Sequence, residues 1–321
     1  MRKNKYDFIV IGAGGTGLAA AMYAARLELS TLVLGATNGT ELPIGGVITT
    51  TDLVENYPGF IKLSGEEIAK KIEEHARAYE QVRISEERAI DVHRARGKEC
   101  FEVKTNKGNT YVGKTILFAT GTKWRKLEVP GGIEFENKGV AYCALCDAPL
   151  FKGKVVGIIG GSDSAVKDAL VISKYAKRVY IIYRGDKLRA EPVNMKRIGA
   201  KRNVELIGKT NVAQVKGNKF IESVVLDQKY RGKEELALEG LFVAIGHIPL
   251  SELAVKMGVK TEKNGEIVID HKTSETNIGG VFAAGDVANK PFKQLITGVA
   301  EGCTAAYSAF QYITKNHIKP C

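Results

Sequence analysis

An α/β architecture in which one strand–turn–helix–strand module is written twice is what the sequence predicts, and three observations predict it. An apolar run at residues 6–11 opens onto Gly12-Ala13-Gly14-Gly15-Thr16-Gly17. A second apolar run, residues 155–159, opens onto Gly160-Gly161-Ser162-Asp163-Ser164-Ala165. After each module a β-rich stretch ends in an apolar strand that closes on glycine: residues 116–121, ending Thr120-Gly121, and residues 241–246. An internal repeat of this kind specifies more than either turn alone, and 321 residues suit two domains of ordinary size.

In the first module the strand at 6–11 is followed by an Ala-rich helix over 18–27 and a strand over 31–34. The turn has the G-x-G-x-x-G spacing of a dinucleotide fold. Gly12 permits the tight turn, Gly14 lets backbone approach a pyrophosphate, and Gly17 lets helix and strand pack closely, with the helix N-terminus facing the phosphates. Strands over 89–94, 100–105 and 111–120 follow, punctuated by Asn106-Lys107-Gly108. The second module repeats the plan: a strand over 155–159, a helix over 166–176, a strand over 178–183, then strands at 213–216 and 220–226. Its turn reads G-x-S-x-x-A, so Ser162 stands where bare backbone is favoured and Ala165 fills the third position. Two such units imply two dinucleotides, usually a flavin and a nicotinamide; a second layer that binds nothing is the alternative. The last segment predicts a strand over 266–270, the run Gly280 to Asp286, and a helix over 294–313. Asp286, just past a strand end, could accept hydrogen bonds from ribityl or ribose hydroxyls, or simply cap a turn.

Composition narrows the function classes. Apolar residues at 44%, charged at 26% and aromatic at 7% fit a globular domain rather than a disordered or fibrous chain. The net charge of +11 could serve an anionic cofactor or an acidic protein, but no basic run is interleaved with aromatics, which argues against nucleic acid. The charged start, Met1-Arg2-Lys3-Asn4-Lys5, lacks a signal-peptide apolar region, and no stretch is long and apolar enough to span a membrane. A cytoplasmic protein with no membrane or nucleic-acid partner is therefore expected. Asn38-Gly39-Thr40 has the form of a glycosylation sequon and reads as a loop.

Between the modules lies Cys143-Ala144-Leu145-Cys146, followed at once by Asp147. As zinc ligands these cysteines would need two more partners at similar spacing, and none exists, so no metal is expected. As a redox pair, the short loop lets one sulfur release electrons to a partner while the other faces their source. A departing thiolate needs a proton, which the adjacent Asp147 could supply if its surroundings raise its pKa; otherwise it caps the next turn. Cys303 reads as a small core residue of the last helix, Cys100 as isolated, and Cys321 as an exposed, incidental thiol.

Taken together, these residues resemble low-molecular-weight thioredoxin reductases along almost the whole chain. The marks are residues 12–17, Gly45-Gly46 with Thr49-Thr50-Thr51, Glu55-Asn56-Tyr57-Pro58-Gly59, Cys143, Cys146 and Asp147, residues 160–165, Gly285-Asp286, and Lys293-Gln294. The resemblance implies two Rossmann-like, three-layer ββα dinucleotide-binding domains, the second inserted into the first. Residues 1–119 and 248–321 would bind FAD, and 120–247 would bind NAD(P)H and carry the cysteine pair. It implies a homodimer and a thioredoxin- or glutaredoxin-like protein partner. Cys146 would be the flavin-facing sulfur, Cys143 the one that attacks the partner, and Asp147 the acid/base. FAD would be held by Gly12, Gly14, Gly15, Thr16, Gly17, Gly46, Thr50, Asn56, Thr120, Gly121, Gly285, Asp286, Lys293 and Gln294. The second dinucleotide would lie against Gly160, Ser162, Asp163, Ser164, Ala165, Arg184 and Arg189, with hinges near 120–123 and 246–249. Two departures stand out. The strand at 31–34 ends in Gly35 rather than an acid. After the second-domain strand, Arg184 and Arg189 match the arginines of NADPH-using members, but Tyr183 and Gly185 do not match their neighbours. NADPH is favoured over NADH or another donor, because two guanidiniums can pair with a 2′-phosphate. The same scaffold run as an FAD-dependent dithiol oxidase, a reductase fed by a non-nicotinamide donor, and a non-catalytic redox-sensing binding protein are the competing readings.

Overall fold

The computed structural model describes residues 4–35, 42–95, 99–319 and 321, so Asn38, Gly39 and Thr40 lie outside the described residues. The chain forms two α/β units. One comprises the residues up to Lys123 together with Ile248–Cys321; the other is Trp124–His247.

In the first unit the strands Val82–Ser85, Thr31–Leu34, Lys5–Ile11 and Thr110–Phe118 lie side by side, all parallel. Phe8, Ile9 and Val10 are fully buried, as a central parallel strand covered on both faces requires. Thr110–Phe118 serves two partners. Its first half pairs antiparallel with Phe101–Thr105, which in turn pairs with Ala89–Arg94; its last three residues pair parallel with Val281–Ala283. Two apolar clusters fill the unit, one around Ile116, Phe118 and Phe101, the other around Phe8, Leu117 and Phe282. Each such side chain contributes roughly 1.5–3 kcal/mol on full burial.

The second unit repeats this plan. Val204–Gly208, Arg178–Tyr183, Val155–Ile159, Gly240–Val243 and Val140–Ala141 make a parallel sheet, and Val212–Gly217, Ile221–Tyr230 and Lys233–Ala237 an antiparallel one. Its cores centre on Ile158, Val166 and Phe242 and on Ile182, Val224 and Leu241. Each unit is thus a Rossmann-like domain.

Two expectations are corrected. Residues 266–270 are extended but not a strand: Ile267 makes only isolated bridges to Thr261 and Ala288. The Asn289 side chain takes up the Ile269 N–H at 3.1 Å, so a side chain stands in for a ladder partner. Cys100 and Cys321 are not isolated thiols; they are joined in a disulfide, and Cys321 is half-exposed rather than exposed. Cys303, by contrast, is a half-buried free thiol in the helix Leu295–Lys315, its pKa pushed up by burial. Among the described residues no helix is long and apolar enough to cross a membrane.

Candidate functional site

The first glycine turn is built by backbone crowding. Gly12 has φ +116°, and a Cβ there would lie 2.2 Å from the Ala119 carbonyl oxygen, just past the neighbouring strand Thr110–Phe118. A Cβ on Gly17 would lie 2.0 Å from Gly12 O. Gly14 differs: it starts the helix Gly15–Arg26 in extended conformation, and a Cβ there would meet nothing closer than Gly45 O at 3.7 Å. No side chain caps this helix, so its first N–H groups have no side-chain acceptor. Gly45 braces the turn from outside, donating to Ala13 O at 2.8 Å and accepting from Gly15 N–H at 3.2 Å. Gly46 follows with φ +74°, a Cβ there falling 3.2 Å from Gly14 Cα. An uncapped helix start beside side-chain-free backbone is a cradle for a pyrophosphate, and the residues fit one.

The other first-unit candidates divide into those left open and those used by the fold. Asn56 Nδ2 donates to Gln294 Oε1 at 2.9 Å, bringing together two predicted site residues far apart in sequence. No described residue donates to the Asp286 carboxylate, which leaves it able to accept from ligand hydroxyls. Thr16 packs between two glycines: a Cβ on Gly285 or Gly298 would lie 2.7 or 2.5 Å from its Oγ1. Thr50 Oγ1 donates to Val47 O at 2.8 Å, within the short helix Gly46–Thr50. Thr120 Oγ1 donates to Leu250 O at 2.6 Å, and Gly121, at φ +65°, accepts from Leu250 N–H. Lys293 pairs with the Glu266 carboxylate at 2.5 Å and donates to Asp286 O at 2.7 Å. Its ammonium therefore fixes the Asp286 turn.

Sequence reasoning missed what holds that turn from the other side. Glu301 Oε2 accepts from Gly285 N–H at 2.8 Å and from Lys290 Nζ at 3.0 Å, and the Lys290 side chain is only 4% exposed. An acid and a base eleven positions apart across a helix start carry no local periodic signal.

In the second unit the cysteine pair sits directly after the strand Val140–Ala141. Cys143 and Cys146 are bonded, with Cα atoms 5.3 Å apart. Cys143 begins the one-turn helix Ala144–Asp147, and its sulfur accepts from Cys146 N–H at 3.2 Å. Ala144 and Ala148 are buried among Phe151, Val156 and Val166, anchoring the turn. Cys146 is exposed and Cys143 half-buried. Burial raises the Asp147 carboxyl above its usual range.

The second glycine turn copies the first with one change. Gly160 has φ +140°, and a Cβ there would lie 2.3 Å from Ala244 O and 3.0 Å from Ala165 Cβ. The Tyr183 ring packs over Gly161. Ser162 starts the helix Asp163–Ile172 without capping it, and both Ser162 and Ser164 are exposed. Arg189 N–H donates to Gly161 O at 2.7 Å, which sets Arg189 beside the turn. Arg184 and Arg189 are exposed and hold no ion pair or side-chain hydrogen bond among the described residues. Asp163 has three partners within the fold. Burial would raise its pKa, but Lys167, Asn194 and the Glu191 N–H hold the carboxyl below its ordinary value. Among the described residues no cluster of three or more His, Cys, Asp or Glu side chains could hold a metal.

Residues 6–306 match the family model described as pyridine nucleotide-disulphide oxidoreductase. The thioredoxin reductase of Bacillus subtilis is 36% identical over 312 residues, covering 96% of this chain and 95% of that one. An alkyl hydroperoxide reductase polypeptide of Pseudomonas aeruginosa is 36% identical over 316 residues, 98% of this chain; the match spans 59% of that relative's length. The crystal structure of Lactococcus lactis thioredoxin reductase superposes with a TM-score of 0.89 at 34% identity, covering 97% of this chain and 99% of that one.

Proposed function

The chain belongs to the pyridine nucleotide-disulphide oxidoreductase family, and from that premise we propose that it is a flavin-dependent thioredoxin-disulfide reductase. The observation that carries this reading is the bonded Cys143–Cys146 pair in a turn of the second unit, followed by a carboxyl whose pKa is raised. FAD is assigned to the first unit, with Gly14, Gly15 and Gly46 around its pyrophosphate and Asn56, Asp286 and Gln294 toward its hydroxyls and ring. When bound there, FAD would supply two-electron redox chemistry between a nicotinamide and the Cys143–Cys146 disulfide.

The chain's own residues do the rest. Reduced, the pair presents two sulfurs. The Cys143 thiolate attacks one sulfur of a thioredoxin- or glutaredoxin-like disulfide, and the partner's other sulfur departs with the electron pair and takes up a proton. Cys146 then displaces the partner from the mixed disulfide, releasing it as a dithiol and restoring the Cys143–Cys146 bond. Asp147 delivers or removes the protons. A homodimer is the working form of this reading.

Asp147→Asn is expected to slow partner reduction between roughly 10- and 100-fold, at and below the lower edge of what general acid–base catalysis contributes, while leaving flavin reduction by the donor unchanged. The sign of the pH dependence follows. A carboxyl raised by burial stays protonated to a higher pH, and a general acid works in its protonated form. Partner reduction by the parent should therefore decline as pH climbs through that raised pKa, and the variant should lack this limb; an identical profile in both would remove Asp147 from the mechanism.

For the donor, NADPH is favoured, because Arg184 and Arg189 stand unpaired beside the second turn and can take a 2′-phosphate. Anaerobic mixing of the yellow protein with NADPH and, separately, NADH tests this. Bleaching of the flavin absorbance by NADPH alone is the expected result. Bleaching by NADH alone would keep the reductase and overturn the donor. No bleaching by either would move the assignment to another donor or to a dithiol oxidase, which would consume oxygen with dithiol and no nicotinamide.

A further inference from the structure

The Cys100–Cys321 disulfide belongs to neither nucleotide turn nor to the Cys143–Cys146 pair. Both residues lie in the first unit. Cys100 precedes the strand Phe101–Thr105 and is 3% exposed; Cys321 is half-exposed. Their Cα atoms are 6.2 Å apart, inside the range a disulfide spans without backbone movement.

The place is set by one row across the sheet. Lys5 lies opposite Val112, Val112 opposite Glu102, and Glu102 opposite His93, on four adjacent strands. These residues and Cys321 line one cavity, and Lys5 Nζ donates to Cys321 O at 2.6 Å. The segment that ends on this row leaves the helix Leu295–Lys315, turns at His317 with φ +49°, and buries Ile318 to 6% exposure. The other end of that helix carries the first site: Gln294 precedes it, and Gly298, Glu301 and Gly302 pack or bond against the glycine turn and Gly285. Covalent linkage at Cys321 therefore fixes the far end of the helix on which the first site is assembled.

We propose that Cys100–Cys321 is a second dithiol–disulfide site of this protein, a redox clasp that staples the segment after the last helix to the sheet. It rests on nothing in the proposed activity. Its opening is an ordinary exchange. A thiolate of an external dithiol attacks Cys321 Sγ, the more accessible sulfur; the S–S bond breaks, and Cys100 leaves with the electron pair and takes a proton. The dithiol's second sulfur then displaces Cys321, so the dithiol is oxidised and two cysteine thiols form. A small-molecule disulfide drives the reverse. Across a separation of 221 residues the closed bond stabilises the folded state, because the cross-link removes freedom from the unfolded chain.

The test uses the full-length flavoprotein purified without reductant. Blocking free thiols, digesting without reduction and mapping peptides by mass spectrometry should show Cys100 linked to Cys321 and Cys303 alone blocked as a free thiol. Finding Cys100 and Cys321 both blocked would overturn the proposal. The midpoint of thermal unfolding should fall by about 5–10 °C in Cys321→Ser. Dithiothreitol should lower the parent's midpoint by a similar amount and leave the variant's nearly unmoved. An equal response of both proteins to dithiothreitol would assign the effect to Cys143–Cys146 and sink the clasp. Should the variant fail to fold, hydrogen exchange of the parent over residues 312–319 decides: faster exchange on reduction supports the clasp, and unchanged exchange refutes it.

Discussion

Cys143→Ser protein, mixed anaerobically with its nicotinamide donor, should bleach its flavin at the parent's rate yet reduce a thioredoxin-type disulfide at least about a thousandfold more slowly, as removal of a nucleophile does elsewhere. The loss can be read as chemistry because the substitution suits the local fold. Residue 143 begins the helix Ala144–Asp147, and its side chain accepts from the Cys146 N–H. Serine is a stronger acceptor than sulfur at such a position and among the best helix caps. The turn should hold, and the melting temperature should stay within a few degrees of the parent's. Cys146→Ser makes the converse case. It leaves Cys143 able to attack but leaves no sulfur to resolve the product, so the partner should accumulate as a mixed disulfide on Cys143, visible on a non-reducing gel. Normal turnover by Cys143→Ser, or trapping of the partner on residue 146 instead, would reverse the order of the two sulfurs.

The sequence shows its local geometry plainly and its distant pairings hardly at all. Gly12 and Gly160 are glycine because their backbones sit at φ +116° and +140° against a neighbouring carbonyl, and a constraint of that kind is written at one position. The repeat of strand, turn and helix is legible for the same reason, since hydrophobic period and turn chemistry are properties of short windows. The helix starting at Gly15 rather than at 18 shows the limit of such windows, because glycines of the turn already belong to its first coil. Asn56 and Gln294 were legible only through resemblance; their hydrogen bond spans 238 positions.

What stayed hidden depends on tertiary placement. Cys100 and Cys321 meet because strand register carries Lys5, Val112 and Glu102 into one row, and no spacing rule reports that. The same holds for Lys290 and Glu301, whose pairing follows from how the chain bends between Gly285 and the last helix. Several residues expected to face a cofactor also bond within the fold. Asp163 is held by three partners, Thr50 by its own turn, and Lys293 by Glu266. A motif locates a site to within a few residues, but it does not distinguish the side chains that bind from those that support.

Gly14 and Gly12 offer the sharpest separation of those two roles in the first turn. Gly12→Ala puts a Cβ 2.2 Å from Ala119 O and 2.6 Å from Ala119 C, in buried backbone just past the strand Thr110–Phe118, at a φ that alanine rarely adopts. No side-chain rotation can relieve a clash with backbone, so this variant should lose the fold, seen as insoluble protein or a collapsed melting transition. Gly14→Ala meets no such obstacle: its φ is −77°, and the nearest protein atom to a Cβ is 3.7 Å away. The purified variant should therefore fold and keep the parent's circular dichroism. The added methyl would occupy the cradle before the uncapped helix start, holding the FAD pyrophosphate away from the first N–H groups. Losing one or two hydrogen bonds to a charged group, at about 1.5–3 kcal/mol each, should weaken FAD binding by between about tenfold and ten-thousandfold. Flavin fluorescence titration of the apoprotein reads this directly. If Gly14→Ala bound FAD like the parent while Gly12→Ala unfolded, the space at Gly14 would be a packing accident and the first turn would have to be assigned a structural role alone.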